Sequence, residues 1–193
     1  MQLEGLIDFF KRAGKLKRLP RTGWVESGVN EPESVADHSY RTALIAMILS
    51  DLQGFDTVKA IRMALLHDLA EAEMGDLTPR QKEAKGPTFI NEERETVARL
   101  LSKLPGNLAR GYMELLEEFL EGASPEAKVV ANADKVDMVL QAIEYEEEGR
   151  CPASLQRFLH ADVGTGLSRE IVKETMKKRM SGGGSSTTLL PFS

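Results

Sequence analysis

The sequence predicts an all-α protein built from about six or seven helices. Apolar residues recur every three or four positions through most of the chain, which is the period of an amphipathic helix. No alternating run of β-branched residues lies between turn signals, so no sheet is expected. The chain has 193 residues, of which 41% are hydrophobic, and this length suits one domain better than two.

Apolar stripes predict the helices, and turn-forming residues mark where several of them end. The stripes are Leu3–Phe10, Leu44–Leu52, Val58–Leu69, Val97–Leu104, Leu108–Phe119, Val129–Ile143 and Ile171–Met176. The residues that follow four of them are Gly14, Gly54, Pro105 and Gly122. Glycine adopts the left-handed conformation that commonly closes a helix, and proline cannot continue one. Asp56 or Thr57 is expected to cap the third helix, and Ser124 followed by Pro125 to begin the sixth, which runs to about Gly149.

Two segments interrupt the helical pattern. Residues 20–34 and 75–88 are rich in proline, glycine and polar turn formers, so both are predicted to be loops, and long loops in a compact domain are often functional. The last residues, SGGGSSTTLLPFS, have the composition of a flexible linker. We therefore expect one domain over residues 1–180 and a flexible tail over residues 181–193.

Composition excludes several classes of protein. Lysine and arginine total 25 against 30 acidic residues, and a net charge of −5 argues against a general nucleic-acid binder, whose surface must be basic. The single cysteine, Cys151, rules out an intrachain disulfide and favours a reducing compartment such as the cytoplasm. No apolar run reaches the roughly 20 residues of a membrane-spanning helix, and the first residues lack the pattern of a signal peptide. We expect a cytoplasmic protein that binds neither membranes nor nucleic acids.

The chain carries only three histidines, and two of them lie among residues that suit a metal site. In the run LLHDLAE, His67 and Glu71 are one turn apart on one predicted helix, and Asp68 lies beside them. An adjacent histidine and aspartate are costly to bury unless a cation such as a divalent metal compensates. His38 and Asp134 are two further candidate ligands. Taken singly, a histidine on a helix is more often a hydrogen-bonded core residue and an acid more often a solvated one.

In combination, these residues resemble the signature of the HD-domain phosphohydrolases, in which a histidine, a His-Asp pair and a later aspartate follow one another. The surrounding sequence is similar to the small 5′-deoxynucleotidase branch of that family. The matching segments are LK at 16–17, PRTGW at 20–24, ESVADHS at 33–39, HDLAE at 67–71, GDLTP at 75–79, D at 134, MVLQA at 138–142 and EY at 144–145. They occur in the family's order and extend over about residues 5–178.

The resemblance implies an HD-domain helical globule with a metal site at its centre. His38, His67, Asp68 and Asp134 would hold a divalent cation, and this mixed nitrogen and oxygen set is compatible with Mn, Co, Mg, Fe or Zn. Glu71 would be the general acid or base that orients the attacking water. Its alternative role is to support the metal ligands.

The resemblance also implies the substrate contacts. Arg21 would be catalytic and bind the phosphate, because a guanidinium can clamp it with two hydrogen bonds. Without the family match, Arg21 would be interpreted as a surface arginine. The residues expected to contact the substrate are Arg21, His38, Asp68, Asp76, Leu77, Thr78 and Asp134. In some relatives Glu71, Asp76 and the Leu77 carbonyl hold a second, Mg-type ion, whereas the plain alternative for Asp76 is a turn or N-cap role.

Two features near the predicted ligands leave alternatives open. Bacterial members place a tryptophan directly after the phosphate arginine, where it helps to exclude a ribose 2′-hydroxyl. Here Thr22 follows Arg21 and the tryptophan is Trp24, which leaves open whether this tryptophan reaches the sugar and excludes a ribose. Asp137 lies three residues after Asp134 and is either an acid that orients a ligand or a surface acid.

The resemblance implies a metal-dependent phosphomonoesterase that hydrolyses 2′-deoxyribonucleoside 5′-monophosphates by direct attack of metal-activated water. No nucleophile motif of the covalent phosphatases is evident. One alternative is an HD phosphohydrolase that acts on a nucleoside triphosphate, a pyrimidine intermediate or a cyclic nucleotide. Another is a non-catalytic helical scaffold that the metal stabilises. The family often forms dimers, so a homodimer is expected.

Overall fold

Helices account for all the regular secondary structure in the described residues, which are 3–151, 155–164 and 166–182 of the computed structural model. The helices are α1 (Leu3–Ala13), α2 (Thr22–Glu26), α3 (Val35–Gln53), α4 (Thr57–Leu66), α5 (Glu71–Met74), α6 (Pro79–Lys85), α7 (Thr88–Leu101), α8 (Gly106–Glu121), α9 (Pro125–Glu147), α10 (Gln156–Leu159) and α11 (Leu167–Gly182). A 3-10 helix spans Gly14–Arg18, and one isolated bridge pairs Pro20 with Ser34. The all-α prediction is confirmed, whereas the predicted number of six or seven helices is too low.

Several additional helices are too short for apolar periodicity to reveal. α2 lies within the predicted loop 20–34 and α6 within the predicted loop 75–88. The proline of the second segment, Pro79, is the first residue of α6, a position where its missing N–H is not needed. The side chain of Gln81 accepts a hydrogen bond from the amide of Thr78 at 2.8 Å, as part of a capping box across the first turn.

The helix predicted over Val58–Leu69 ends earlier than expected. α4 ends at Leu66 and α5 begins at Glu71, so the prediction that His67 and Glu71 share one continuous helix is wrong. Nδ1 of His67 donates to the carbonyl of Ala64 at 2.6 Å, which satisfies one of the carbonyls left open at the end of α4. The chain then continues through residues 67–70 in tight turns, such as the 3.0 Å bond from the amide of Leu69 to the carbonyl of Leu66.

The predicted helix boundaries at Gly54, Asp56, Gly122 and Ser124 are confirmed. The side chain of Asp56 accepts from the amide of Lys59 at 3.0 Å at the start of α4. Ser124 accepts from the amide of Ala127 at 3.2 Å at the start of α9. Gly54 and Gly122 are left-handed at the ends of α3 and α8, as expected of C-terminal glycines.

Small residues bring α3, α4 and α9 into close contact at the centre of the molecule. The buried alanines of this contact are Ala43 and Ala46 of α3, Ala60 and Ala64 of α4, and Ala127 and Ala133 of α9. The distance between packed helices depends on the side chains at the contact, so alanines allow a close approach. This packing places the start of α3 next to the middle of α9, where predicted ligands lie.

Two further predictions concern membrane-spanning helices and the C-terminal tail. Within those ranges, no helix combines the length and apolar character that crossing a membrane requires. The predicted tail, 181–193, lies outside the described residues except for 181 and 182, which end α11. The domain boundary at residue 180 therefore stays a prediction.

Two leucines of α8 test the assignment of the core. Leu116 is 1% exposed, whereas Leu108 in the same helix is 43% exposed. Leu116→Ala removes buried methyl groups and leaves a cavity, so it should lower the free energy of unfolding by about 3 kcal/mol. The same change at Leu108 should lower it by less than about 1 kcal/mol. Urea denaturation followed by circular dichroism measures both losses, and equal losses would contradict this assignment.

Candidate active site

The four predicted metal ligands come from distant parts of the chain and meet at one point. His38 lies near the start of α3, His67 and Asp68 directly follow α4, and Asp134 lies in the middle of α9. Nε2 of His38 is 3.2 Å from Oδ1 of Asp134 and 3.6 Å from Oδ2 of Asp68. Nε2 of His67 is 3.1 Å from the same Asp68 oxygen. Atoms that share an ion at about 2.1 Å lie about 3 to 3.5 Å apart, so this spacing suits one metal ion.

Several polar atoms at this point have no hydrogen-bond partner among the described residues. They are Nε2 of His38, Nε2 of His67, Oδ2 of Asp68 and Oε2 of Glu71, and all are buried. An unsatisfied buried polar atom costs about 1–3 kcal/mol, so a group of them at one point indicates a ligand. Imidazole nitrogens and carboxylate oxygens are the donors that divalent transition metals take in proteins. The residues present therefore fit a divalent cation.

Opposite charges balance one another within the site. Burial and Arg21 lower the pKa of His38, but the carboxylates of Asp134 and Asp137 outweigh them and raise it to about 10. Burial favours a raised pKa for Asp68, yet His67, His38 and Arg21 hold that pKa well below its ordinary value. A divalent cation at Nε2 of His38 would take the place of the ring proton, so metal binding is expected to release a proton.

The carboxyl group of Glu71 faces this point from the first turn of α5. Burial, together with repulsion from Asp68 and Asp76, raises the pKa of Glu71 to about 9. Nζ of Lys82 lies 3.9 Å from Oε1 of Glu71, and its charge opposes that shift. A carboxyl group with a raised pKa can give or take a proton near neutral pH, as a general acid or base must.

Arg21 links the ligands to a cavity. One guanidinium nitrogen lies 3.5 Å from Oδ2 of Asp68 and the other lies 4.0 Å from Oδ1 of Asp134. Against the effect of its burial, these carboxylates raise the pKa of Arg21. The cavity has a volume of about 550 Å³, and its walls include Arg21, Trp24, Asp68, Glu71, Asp76, Leu77, Thr78, Lys82, Asp134, Met138, Arg157 and Phe158. A second cavity of about 410 Å³ also borders Asp68 and Asp134.

The first residue of α2, Thr22, is bonded to the loop after α5. The amide of Thr22 donates to Oδ2 of Asp76, and the Thr22 hydroxyl donates to the Asp76 carbonyl at 2.8 Å. Trp24 is only 2% exposed, and its Nε1 donates to Oε1 of Glu33 at 2.9 Å. Its ring packs against Phe158 with 4.2 Å between ring centroids. Trp24 therefore borders the cavity as part of the core.

Comparison with known proteins identifies the family. A model described as HD domain matches residues 13–174. The chain belongs to the HD-domain family. This HD-domain protein is 41% identical over 169 residues to 5′-deoxynucleotidase HDDC2 of Mus musculus, covering 88% of this chain and 84% of the relative. For the Homo sapiens relative of the same name, the identity is 40% over 168 residues, with 87% and 81% covered. A solved structure, a conserved hypothetical protein from Pyrococcus furiosus, matches with a TM-score of 0.73 and 35% identity, covering 91% of this chain and 99% of its own.

The fold of this HD-domain protein brings the predicted site residues together. The four predicted ligands surround one point, Glu71 and Arg21 border it, and Asp76, Leu77 and Thr78 line the adjoining cavity. A second ion at Glu71, Asp76 and the Leu77 carbonyl stays a prediction.

Sequence reasoning missed some residues of the site and left one undecided. Lys82, Arg157 and Phe158 line the larger cavity, and no motif marks them in the sequence. Asp137, left open between a surface acid and an acid that orients a ligand, is 0% exposed. Its Oδ2 lies 2.6 Å from Nδ1 of His38, so the interpretation as a surface acid is wrong.

Removal of one carboxylate ligand tests the metal centre. A divalent ion that binds only the folded protein should raise the Tm of the metal-free HD-domain protein. Asp134→Asn removes a charged oxygen donor, so it should weaken binding at least tenfold and reduce this rise in Tm. Glu147→Gln, an exposed acid near the end of the same helix, is the matched control and should behave as wild type. Differential scanning fluorimetry with Mn²⁺ or Zn²⁺ measures the rise, and an equal rise in Asp134→Asn would refute the assigned ligand.

Proposed function

We propose that this HD-domain protein is a metal-dependent 5′-deoxynucleotidase. It hydrolyses 2′-deoxyribonucleoside 5′-monophosphates to the deoxynucleoside and inorganic phosphate. The observation that carries the proposal is one buried point where two imidazoles and two carboxylates converge beside Glu71 and Arg21. The adjoining cavity of about 550 Å³ lies within the usual range for small-molecule sites. Relatives named 5′-deoxynucleotidase HDDC2, about 40% identical over most of their length, support the substrate class.

The metal ligands in this proposal are His38, His67, Asp68 and Asp134. Mn, Co, Mg, Fe and Zn are all compatible with two nitrogen and two oxygen donors. When bound, a divalent ion polarises a phosphoryl oxygen and lowers the pKa of a bound water molecule. The four residues bring three segments of the chain together at one point.

Arg21 binds the substrate phosphate in this proposal. Its guanidinium is held by Asp68 and Asp134 at the edge of the ligand set, so its direction is fixed before the substrate arrives. A planar guanidinium can donate two hydrogen bonds to one phosphate and offset the charge that develops there. Because α2 begins directly after Arg21, the first turn of that helix fixes the position of the Arg21 backbone.

Glu71 exchanges the proton of the reaction in this proposal. Its raised pKa means that the carboxyl group can hold a proton near neutral pH and release it to an oxygen within reach. In the part of the chain that the structure describes, neither cavity is lined by a serine or a cysteine. This observation supports direct attack by water over a phosphoenzyme formed on either side chain.

The deoxynucleoside lies in the larger cavity in this proposal. Asp76, Leu77 and Thr78 form one side of it, where Asp76 can accept a hydrogen bond from a sugar hydroxyl. Phe158 and Met138 add apolar surface that can contact the sugar or the base. A second, Mg-type ion held by Glu71, Asp76 and the Leu77 carbonyl is also part of the proposal, because such an ion prefers oxygen donors.

Two other functions remain as alternatives to be tested. A substrate panel on the metal-loaded protein, with deoxynucleoside monophosphates, ribonucleotides, triphosphates and cyclic nucleotides, separates this activity from that of another HD phosphohydrolase. The third candidate, a scaffold that the metal only stabilises, requires no activity on any of them.

Substitution of Glu71 separates catalysis from metal stabilisation. Glu71→Gln keeps the shape of the side chain but cannot exchange a proton, so kcat for a deoxynucleoside monophosphate should fall by about 10²–10⁴-fold. The ion held by His38, His67, Asp68 and Asp134 should be retained, and Tm should stay near wild type. Glu83→Gln, an exposed acid of α6, is the control and should leave kcat unchanged. Phosphate release and metal analysis measure the two effects, and unaltered kcat in Glu71→Gln would exclude the assigned role.

We also propose that the protein is a homodimer formed through the exposed face of α3. Tyr40, Leu44, Ile48 and Leu52 are exposed apolar residues at four-residue spacing, so they form one stripe along the helix. A stripe of this kind can pack on its own copy about a two-fold axis, with the two α3 helices antiparallel. Contiguous exposed apolar surface of this kind is typical of interfaces.

A charge placed in the stripe tests the dimer. Ile48→Glu introduces a carboxylate that would be buried at the two-fold axis, so the particle mass should fall from that of two chains to that of one. Leu108→Glu, at an exposed leucine of α8, is the control and should leave the mass unchanged. Size-exclusion chromatography with light scattering measures both. A monomeric wild type, or a dimeric Ile48→Glu, would rule out this interface.

A further inference from the structure

One fully buried carboxylate touches the metal centre without being one of its predicted ligands. Asp137 is 0% exposed and lies on α9 one turn after Asp134. Its Oδ2 is 2.6 Å from Nδ1 of His38, on the side of the ring opposite to the ligand atom Nε2. Its other oxygen, Oδ1, accepts a hydrogen bond from Nε of Arg41.

Arg41 is itself held in place by further residues of α9. One of its terminal nitrogens binds both oxygens of Glu144, at 2.9 and 2.7 Å, and the other donates to Oε1 of Gln141 at 2.8 Å. The guanidinium therefore has acceptors on each of its three nitrogens. Since a guanidinium only donates, the atom of residue 137 that faces Nε must be an acceptor.

The tautomer of His38 depends on these contacts. A neutral imidazole has one N–H and one lone pair, and ligation through Nε2 requires the hydrogen to be on Nδ1. A carboxylate can only accept, so Asp137 favours that tautomer. We propose that Asp137 is a positioning residue that holds His38 in the tautomer able to bind a metal through Nε2, and that Arg41 fixes the direction of this hydrogen bond. This proposal rests on the metal site of the proposed function.

The second histidine ligand shows the same arrangement with a different acceptor. Nδ1 of His67 donates to the backbone carbonyl of Ala64 at 2.6 Å, which leaves its Nε2 to face the same point as that of His38. A backbone carbonyl cannot be changed by substitution of a side chain. Asp137 is therefore the acceptor through which the tautomer of a ligand can be tested.

We expect an unusual result when Asp137 is replaced by asparagine. In Asp137→Asn, Arg41 keeps the amide oxygen turned toward itself, so the amide NH₂ group points at Nδ1 of His38. Nδ1 must then accept, and the ring proton moves to Nε2, where it blocks the metal. Asp137→Ala offers no such donor. The isosteric amide should therefore bind metal more weakly than the truncated side chain, although it is the more conservative change.

The experiment measures binding of Mn²⁺ alone to the metal-free protein by isothermal titration calorimetry. Asp137→Asn should lower the affinity about 10–100-fold, the range found for acceptors that orient a ligating histidine. Asp137→Ala should lower it less. Arg41→Met should lower it less than Asp137→Asn does, because either carboxylate oxygen of Asp137 can still accept from Nδ1 of His38. In the Asp137→Asn background it should raise the affinity at least threefold, because the amide is then free to turn its oxygen to His38.

Controls distinguish this proposal from a general loss of structure and from failure of the metal site. Glu147→Gln, an exposed acid near the end of the same helix as Asp137, should bind Mn²⁺ as wild type does. Circular dichroism of each metal-free variant monitors folding. If the amide variant does not fold, the two single variants Asp137→Ala and Arg41→Met provide the test. Wild-type protein that binds no divalent ion would refute the metal site and this proposal with it. If the wild type binds Mn²⁺ and Asp137→Asn binds it with equal affinity, the positioning role alone is overturned. The same holds if adding Arg41→Met to Asp137→Asn leaves the affinity unchanged.

Discussion

The burial of several ionisable groups at one point is the constraint on which the rest of the structure depends. His38 is 0% exposed, and Asp68 and Asp134 lie within 3.6 Å of its Nε2. An isolated charge in a protein interior is so costly that it is found only with a partner of opposite charge or with a metal. These partners lie far apart in the sequence, so the helices must be arranged to bring them together. Arg21 adds a further positive charge from a loop, on the side that faces the cavity.

The packing of α3 against α9 satisfies this constraint. Alanines at the contact, such as Ala46 and Ala133, let the two backbones approach closely. The capping box formed by Ser34 and Asp37 begins α3 directly before His38, so the ring is fixed within the first turns of a rigid helix. The turns at residues 67–70 do the same for His67, because its ring is bonded to the end of α4. The two predicted histidine ligands are thus each held by the element on which they lie.

Sequence periodicity predicted the long helices because apolar residues recur along them every three or four positions. It failed for α2, α5, α6 and α10, which have four to seven residues each. Such segments are too short to show a period and are too short to be stable alone, so caps and contacts with other elements determine them. Proline illustrates the difficulty: Pro105 ends a helical pattern as predicted, whereas Pro79 begins a helix because Thr78 and Gln81 cap its first turn.

The candidate site shows a similar division between what a sequence can and cannot predict. Residues that lie in recognisable sequence motifs, such as His67 and Asp68, can be predicted because the neighbouring residues complete the motif. Asp137 could not be assigned, because periodicity alone does not show which side of α9 faces α3. The partner of Asp137, Arg41, has no motif of its own, and its role exists only because Glu144 and Gln141 hold it in place.

The contact between Thr22 and Asp76 affects how the proposed enzyme can recognise a sugar. A tryptophan at position 22 would lack the hydroxyl that donates to the Asp76 carbonyl at 2.8 Å. This link between the start of α2 and the loop after α5 therefore depends on Thr22. The amide of Thr22 occupies Oδ2 of Asp76, which leaves Oδ1 as the carboxylate oxygen for a sugar hydroxyl. Trp24 is engaged with Glu33 and packs on Phe158. Discrimination between ribose and deoxyribose therefore has to come from Asp76 and the walls of the cavity around it, because no aromatic ring directly follows Arg21.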